Sequence, residues 1–163
     1  MVNVVITGGA GFLGSRLARE LLAAGSLDMA GGGPRPLSKV TLIDRVPVPA
    51  DLAADERVTA IRGELGELLE PGAAWRDALA GAEVIFHLAA AVSGECETDF
   101  DLGIRANLRA TEALLACSRA AANRQVVVYA SSLAVFGGSA EHPLPEVIED
   151  RTLPNPQTSY GTP

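Results

Sequence analysis

Val2-Asn3-Val4-Val5-Ile6-Thr7-Gly8-Gly9-Ala10-Gly11-Phe12-Leu13-Gly14 is the stretch that decides the fold. Residues 2–7 are a short run rich in β-branched residues that stops at glycine, which suits a strand buried on both faces of a parallel sheet. Residues 12–24 place Phe12, Leu13, Leu17, Leu21 and Leu22 at helical spacing. Between strand and helix, Gly8, Gly11 and Gly14 form a G-x-x-G-x-x-G turn. Gly8 permits the tight exit from the strand, Gly11 keeps a Cβ out of the way of a pyrophosphate, and Gly14 lets the helix pack closely. The helix N-terminus presents free N–H groups and a partial positive charge to phosphates. A glycine triplet alone is weak evidence, but a strand before it and a helix after it are the context that gives it meaning.

Outward from this turn the chain alternates strands and helices. Residues 39–43 read as a second strand ending at Asp44, 57–62 as a third, 83–88 as a fourth and 125–130 as a fifth. Helices are expected over 72–80 and over 98–121, the latter with Phe100, Ile104, Leu108, Thr111 and Leu115 on one stripe. Gly25 to Ser38, with glycines at 31–33 and Pro34, reads as a mobile loop, and periodicity disappears again from Ser131 to Pro163. The expected architecture is α/β, a Rossmann-like doubly wound parallel sheet of strand order 3-2-1-4-5. A carboxylate at Asp44 can accept hydrogen bonds from both adenosine ribose hydroxyls and repels a 2′-phosphate, which favours NAD. Arg45 keeps NADP open, since an arginine there can pair with a 2′-phosphate.

Composition narrows the function classes. The chain has 163 residues, 48% hydrophobic and 20% charged, with a net charge of −7. The length suits one domain. The acidic balance argues against a nucleic-acid or anionic-membrane surface. No apolar run approaches the roughly 20 residues that span a bilayer, and Met1-Val2-Asn3 leads directly into the strand without a leader pattern. Cys96 and Cys117 are too few for a disulfide framework and read as reduced thiols of a cytoplasmic protein. His87 and His142 have no second ligand at metal-binding spacing, so no metal site is expected. His87 reads as a packed histidine, and the acidic run at 146–150 as a solvated loop face.

Several motifs together carry a family resemblance. TGGAGFLG at 7–14, HLAA at 87–90, Asn107-x-x-x-Thr111, SS-x-x-V-F-G at 131–137 and Ser159-Tyr160 resemble the extended short-chain dehydrogenase/reductase superfamily, that is, NAD-dependent epimerase/dehydratase-like proteins. Residues 87–111, 131–138 and 144–161 further resemble those superfamily members that oxidise a small sugar acid such as D-erythronate, at C2. The resemblance implies NAD as cofactor and a homodimer of the full-length enzyme. It implies a cofactor-binding set of Gly8, Gly11, Phe12, Leu13, Gly14, Asp44, Glu64, Leu65, Leu88, Ala89, Ala90, Asn107, Ser131 and Tyr160. Glu64-Leu65 stands where the family has Asp-Leu. Tyr160 matches the family's catalytic base and Ser132 the residue that orients the substrate oxygen, with Ser93, Gly94 and Glu95 also on the substrate side.

A tyrosine titrates near pH 10, so a tyrosine base needs a neighbouring cation. The family supplies it as the lysine of Y-x-x-x-K. Here the chain reads Tyr160-Gly161-Thr162-Pro163 and ends one residue before that position. The chain is therefore expected to be the N-terminal part of a longer enzyme, lacking the remaining strands and the substrate domain, and inactive by itself. The alternatives are a sugar-nucleotide epimerase or dehydratase on the same core, and a non-catalytic NAD-binding domain.

Overall fold

The computed structural model describes residues 1–29, 32–64 and 74–163. In chain order the elements are β1 (Val2–Thr7), α1 (Phe12–Ala24), β2 (Ser26–Asp28), β3 (Pro34–Asp44), α2 (Ala50–Ala53), β4 (Val58–Arg62), α3 (Ala74–Ala80), β5 (Val84–His87), α4 (Ser93–Thr98), α5 (Phe100–Gly103), a π-helical segment (Ile104–Arg109), α6 (Ala110–Ala120), β6 (Val126–Tyr129) and a 3-10 turn (Leu133–Val135). The chain divides into two compact units, residues 1–89 with 110–130, and residues 90–109 with 131–163.

The first unit is the sheet. β1 pairs in parallel with β3 and with β5, β3 with β4, and β5 with β6. The parallel order β4-β3-β1-β5-β6 is the expected 3-2-1-4-5. Alternation along β1 explains the two cores. Val2, Val4 and Ile6 face Ala18 and Leu21 of α1 and Val40 and Leu42 of β3. Val5 belongs to the opposite core with Trp75, Leu79, Ile85, Ala110 and Leu114. Burial on both faces is why these strands read as apolar runs rather than alternating ones. Register aligns the strand ends, with Thr7 opposite Ile43 on one side and His87 on the other, and His87 opposite Tyr129.

Three expectations are corrected. The stretch 25–38 contains a hairpin, with β2 antiparallel to the start of β3, Leu27 opposite Arg35 and Pro34 and Pro36 on either side of it. The prolines alternate with Arg35, so only every second position lacks a donor, and a short ladder at a sheet edge tolerates that. Residues 30, 31 and 65–73 lie outside the described residues, and with them part of this stretch and the start of the helix expected at 72–80. The long helix expected at 98–121 is three pieces, α5, the π-helical segment and α6, and a separate short helix, α4, precedes it. Asp99 separates α4 from α5 in extended conformation, and its carboxylate caps α5 by accepting from Leu102 N–H at 2.9 Å. The expected stripe is also displaced. Phe100 and Leu115 are about half exposed, whereas Gly103, Asn107, Ala110 and Leu114 are buried. Two small residues, Gly103 and Ala110, and Asn107, which bonds the Ala91 backbone, share the buried face with Leu114, so hydrophobicity alone reads one position late.

Among the described residues no helix is long and apolar enough to cross a membrane.

Candidate active site

The glycine turn sits where β1 ends, between β3 and β5, at the point where the strand order reverses. Gly8 has φ +72°, the left-handed region that favours glycine. Its N–H donates to the Ile43 carbonyl at 2.8 Å, and a Cβ added to it would lie 2.9 Å from the Ala89 nitrogen. A Cβ on Gly14 would strike the Gly8 carbonyl oxygen, so the helix packs on the turn at glycine distance. Gly9, which the motif spacing passes over, is as confined: its Cβ would meet that of Leu42 at 2.8 Å. Gly11 differs, since a Cβ there would approach only the Gly8 oxygen, at 3.3 Å.

Gly11 is also the N-cap of the 13-residue α1, with no side-chain cap and no acidic residue in the first turn. Phe12 and Leu13 are 81% and 61% exposed. The first N–H groups of a helix have no intrahelical acceptor, and no carboxylate in this first turn competes for them. A diphosphate fits this cradle by charge, by donor supply and by the open side of Gly11.

Asp44 closes the turn from the β3 side. Its Oδ2 accepts from Ala10 N–H at 2.9 Å and its Oδ1 from Val46 N–H at 3.1 Å. Each carboxylate oxygen accepts more than one hydrogen bond, so the anchoring is compatible with ribose hydroxyls as further donors. Glu64 is exposed two residues beyond β4, and Leu65 lies outside the described residues.

The β5 side is organised by a histidine. His87 is 1% exposed, with Nδ1 2.6 Å from Thr7 Oγ1 and Nε2 2.9 Å from Thr111 Oγ1. Burial pushes its pKa down to about 4, so the ring is neutral near pH 7. The Thr7 hydroxyl oxygen also accepts from Ala89 N–H at 3.3 Å, and the Thr7 carbonyl from Leu88 N–H at 3.2 Å. His87 therefore holds the end of β1 in relation to Leu88 and Ala89, and is the packed histidine expected from the sequence. Thr7 had no assigned role: a β-branched residue ending an apolar strand looks like core, and only the fold shows what its hydroxyl meets.

The remaining site residues belong to the second unit. Asn107, in the π-helical segment, accepts from Ala91 N–H at 2.8 Å through Oδ1 and donates to the Ala91 carbonyl at 3.1 Å through Nδ2. The backbone just after Ala90 is thus clamped at both polar groups of one residue. Cys96 packs beneath it, 3.6 Å from Nδ2, and burial pushes its thiol up, away from thiolate chemistry. Ser93, Gly94 and Glu95 open α4, where the Glu95 carboxylate accepts from Val92 N–H at 3.0 Å.

Ser131 is exposed at the end of β6, and Ser132 caps the 3-10 turn by accepting from Ala134 N–H at 3.2 Å. That bond uses a lone pair and leaves the serine proton to be donated. Tyr160 is half-buried in the turn at 158–161. The next residue, Gly161, packs against the Ala134 carbonyl, where a Cβ would collide. The serine and tyrosine turns are thereby brought together, 28 residues apart in sequence. Among the described residues no group of three or more His, Cys, Asp and Glu side chains is arranged to hold a metal ion.

The sequence profile of the NAD dependent epimerase/dehydratase family matches residues 4–162. The chain is 46% identical over 161 residues to a D-erythronate dehydrogenase from Cupriavidus necator, covering 98% of this chain and 46% of that protein. It is 38% identical over 167 residues to a D-erythronate dehydrogenase from Haemophilus influenzae, covering 99% and 46%. A solved nucleoside-diphosphate-sugar epimerase from Agrobacterium tumefaciens is similar with a TM-score of 0.80 and 41% identity, over 99% of this chain and 45% of that one. The chain spans about half the length of the curated relatives it matches.

Proposed function

The chain belongs to the NAD-dependent epimerase/dehydratase family, and from that premise we propose that the whole protein is a dehydrogenase that oxidises a small sugar acid, D-erythronate, at C2. NAD is the family's cofactor, and the open glycine cradle fits it. Gly8, Gly11, Phe12, Leu13 and Gly14 receive the diphosphate on backbone N–H groups, and Asp44 the adenosine ribose. Glu64 and Leu65 are assigned to the adenine, as the family pattern implies. Leu88, Ala89, Ala90, Asn107 and Ser131 are assigned to the nicotinamide end on the same ground. Ser93, Gly94 and Glu95 contact the hydroxyls of the acid.

NAD, when bound, supplies the acceptor for the hydride that leaves substrate C2. The proton of the C2 hydroxyl goes to the phenolate oxygen of Tyr160, which becomes the phenol, so the carbinol becomes a carbonyl by loss of one hydride and one proton. Ser132 donates a hydrogen bond to the C2 oxygen of the substrate and steadies the charge that develops on it. The packing of the Tyr160 turn against the Ser132 turn through Gly161 is the observation that carries this reading. The family pattern calls for a lysine at the position following Pro163. Residues 1–163 by themselves are expected to bind NAD without turnover.

The test is NADH formation by the whole protein with D-erythronate. Turnover with NAD and little with NADP is expected. Loss of nucleotide sugar in place of any reaction with D-erythronate overturns the substrate and favours the second reading, an epimerase or dehydratase, which the similarity to the Agrobacterium tumefaciens epimerase supports.

A further inference from the structure

We propose that Glu97 is a positioning residue for Tyr160, and so that α4 couples the substrate side of the site to the base. Glu97 Oε1 accepts two hydrogen bonds from Ser159, at 3.1 Å from its backbone N–H and at 2.6 Å from its hydroxyl. Ser159 immediately precedes Tyr160, and 62 residues separate it from Glu97. One carboxylate oxygen thus takes both donors of the residue next to the proposed base.

The turn around Tyr160 also has bonds of its own. Gly161 N–H donates to Thr158 Oγ1 at 3.1 Å, and the Thr162 hydroxyl donates to the Thr158 carbonyl at 2.9 Å. These fix the shape of the turn without fixing its place. Its place within the second unit is set by Gly161 against the Ala134 carbonyl, by Asn155 N–H donating to the Val135 carbonyl at 2.9 Å just before the turn, and by Glu97. The first two tie the segment to residues 134–135, and Glu97 adds the tie to α4 at the residue next to Tyr160. Proton transfer is sensitive to such placement, since a misplacement of about 1 Å costs on the order of 10²-fold in rate.

Glu97 also shares a six-residue helix with Ser93, Gly94 and Glu95. Thr98, the last residue of α4, donates through its hydroxyl to the Gly94 carbonyl at 2.8 Å, which ties the two ends of the helix together. A shift of α4 when substrate engages its first turn is therefore passed through Glu97 to Ser159. Glu97 and its contact with Ser159 are exposed, and exposed charged contacts contribute little to stability. The proposal therefore separates placement from folding: loss of Glu97 affects turnover far more than melting temperature.

The role rests on Tyr160 being the base, and its test uses the whole protein with two readouts. In steady-state kinetics with D-erythronate and NAD, Glu97→Ala is expected to lower kcat about 10–100-fold with a much smaller change in KM. Glu97→Gln keeps an oxygen acceptor and is expected to stay within about threefold of wild type, because the amide accepts both donors. Ser159→Ala removes one of the two donors and falls between them. Hydrogen exchange at the Ser159 amide, which needs no activity, is expected to quicken about tenfold in Glu97→Ala and not in Glu97→Gln. Unchanged kcat and unchanged exchange in Glu97→Ala overturn the proposal, as does equal damage in the Gln and Ala variants. If the wild-type protein leaves D-erythronate unreacted while exchange responds as expected, the substrate reading fails and the anchoring of the Tyr160 turn stands. If Glu97→Ala does not fold, Ser159→Ala decides: wild-type kcat there overturns the proposal.

Discussion

The turn after β1 and the turn around Tyr160 are held by different means. The first continues a parallel ladder on both sides, with Thr7 in register with Ile43 and with His87, and its glycines are crowded by backbone and by Leu42. Many bonds fix it, and each is backed by its neighbours. The second lies in a segment with no strand, held by a few isolated ties: Glu97 to Ser159, one glycine pinch at Gly161 and one backbone bond from Asn155 N–H to the Val135 carbonyl. Redundant packing resists single changes in function until folding itself suffers. Single polar ties do the reverse, so the second turn is where substitutions should change activity while leaving the fold intact.

The largest expected effect tests that separation directly. Tyr160→Phe removes the proton acceptor and is expected to lower kcat of the whole protein by about 10²–10⁴-fold. NAD affinity, measured by titration, should fall far less than turnover, since the rest of the cofactor-binding set is untouched. A variant that loses NAD binding in parallel with turnover would break the comparison.

Gly14→Ala should show the opposite pattern. Its methyl group enters the Gly8 carbonyl, and overpacking of this kind costs about 1–3 kcal/mol. Thermal unfolding is expected to fall by several degrees, with NAD affinity lost by at least tenfold, because helix and cradle must separate.

His87 sharpens the comparison through pH. Its folded pKa, about 4, lies below the unfolded value of about 6.5. Below about pH 6.5 the unfolded chain binds a proton that the folded chain refuses. The stability linked to His87 is therefore fully present above about pH 6.5 and is lost as pH falls toward 4, to a total of about 3 kcal/mol. Asp55, lowered to about 2 by Arg57, loses its contribution only in more acidic solution, so the windows do not overlap. Denaturant unfolding followed from pH 7 to pH 4 checks this, with the imidazole NMR signal of His87 expected to stay unprotonated until near pH 4.

Gly94→Ala carries the smallest effect. A Cβ at Gly94 meets nothing within 4 Å, and alanine is favoured over glycine inside a helix by about 0.5–1 kcal/mol. The melting temperature should rise slightly or stay level, in contrast to Gly14→Ala.

How much of this was legible follows from the same contrast. Strand order, the G-x-x-G-x-x-G turn and the position of Asp44 rest on local periodicity and on spacing to glycine, and these survive translation into structure unchanged. The hairpin at β2 escaped because glycine and proline read as breakers even when a short edge ladder accommodates them. The displaced helical stripe escaped because Asn107 buries itself on the Ala91 backbone, which no hydrophobic pattern records. Thr7 and Glu97 escaped for a related reason: a hydroxyl at a strand end and an acid on a short helix look ordinary until their partners, 80 and 62 residues away, arrive.

By itself the sequence determined which segments become strands, that they lie in parallel in this order, and that the first turn admits a diphosphate. These follow from side-chain burial periods and from backbone freedom at glycine, both of them local quantities. Only the tertiary structure decided that Gly9 is as confined as Gly8, that His87 is neutral between two threonines, that α4 exists and that its Glu97 grips the residue beside Tyr160. Those outcomes depend on which polar groups meet across long loops, and hydrogen-bond partners distant in the chain leave no periodic trace in it.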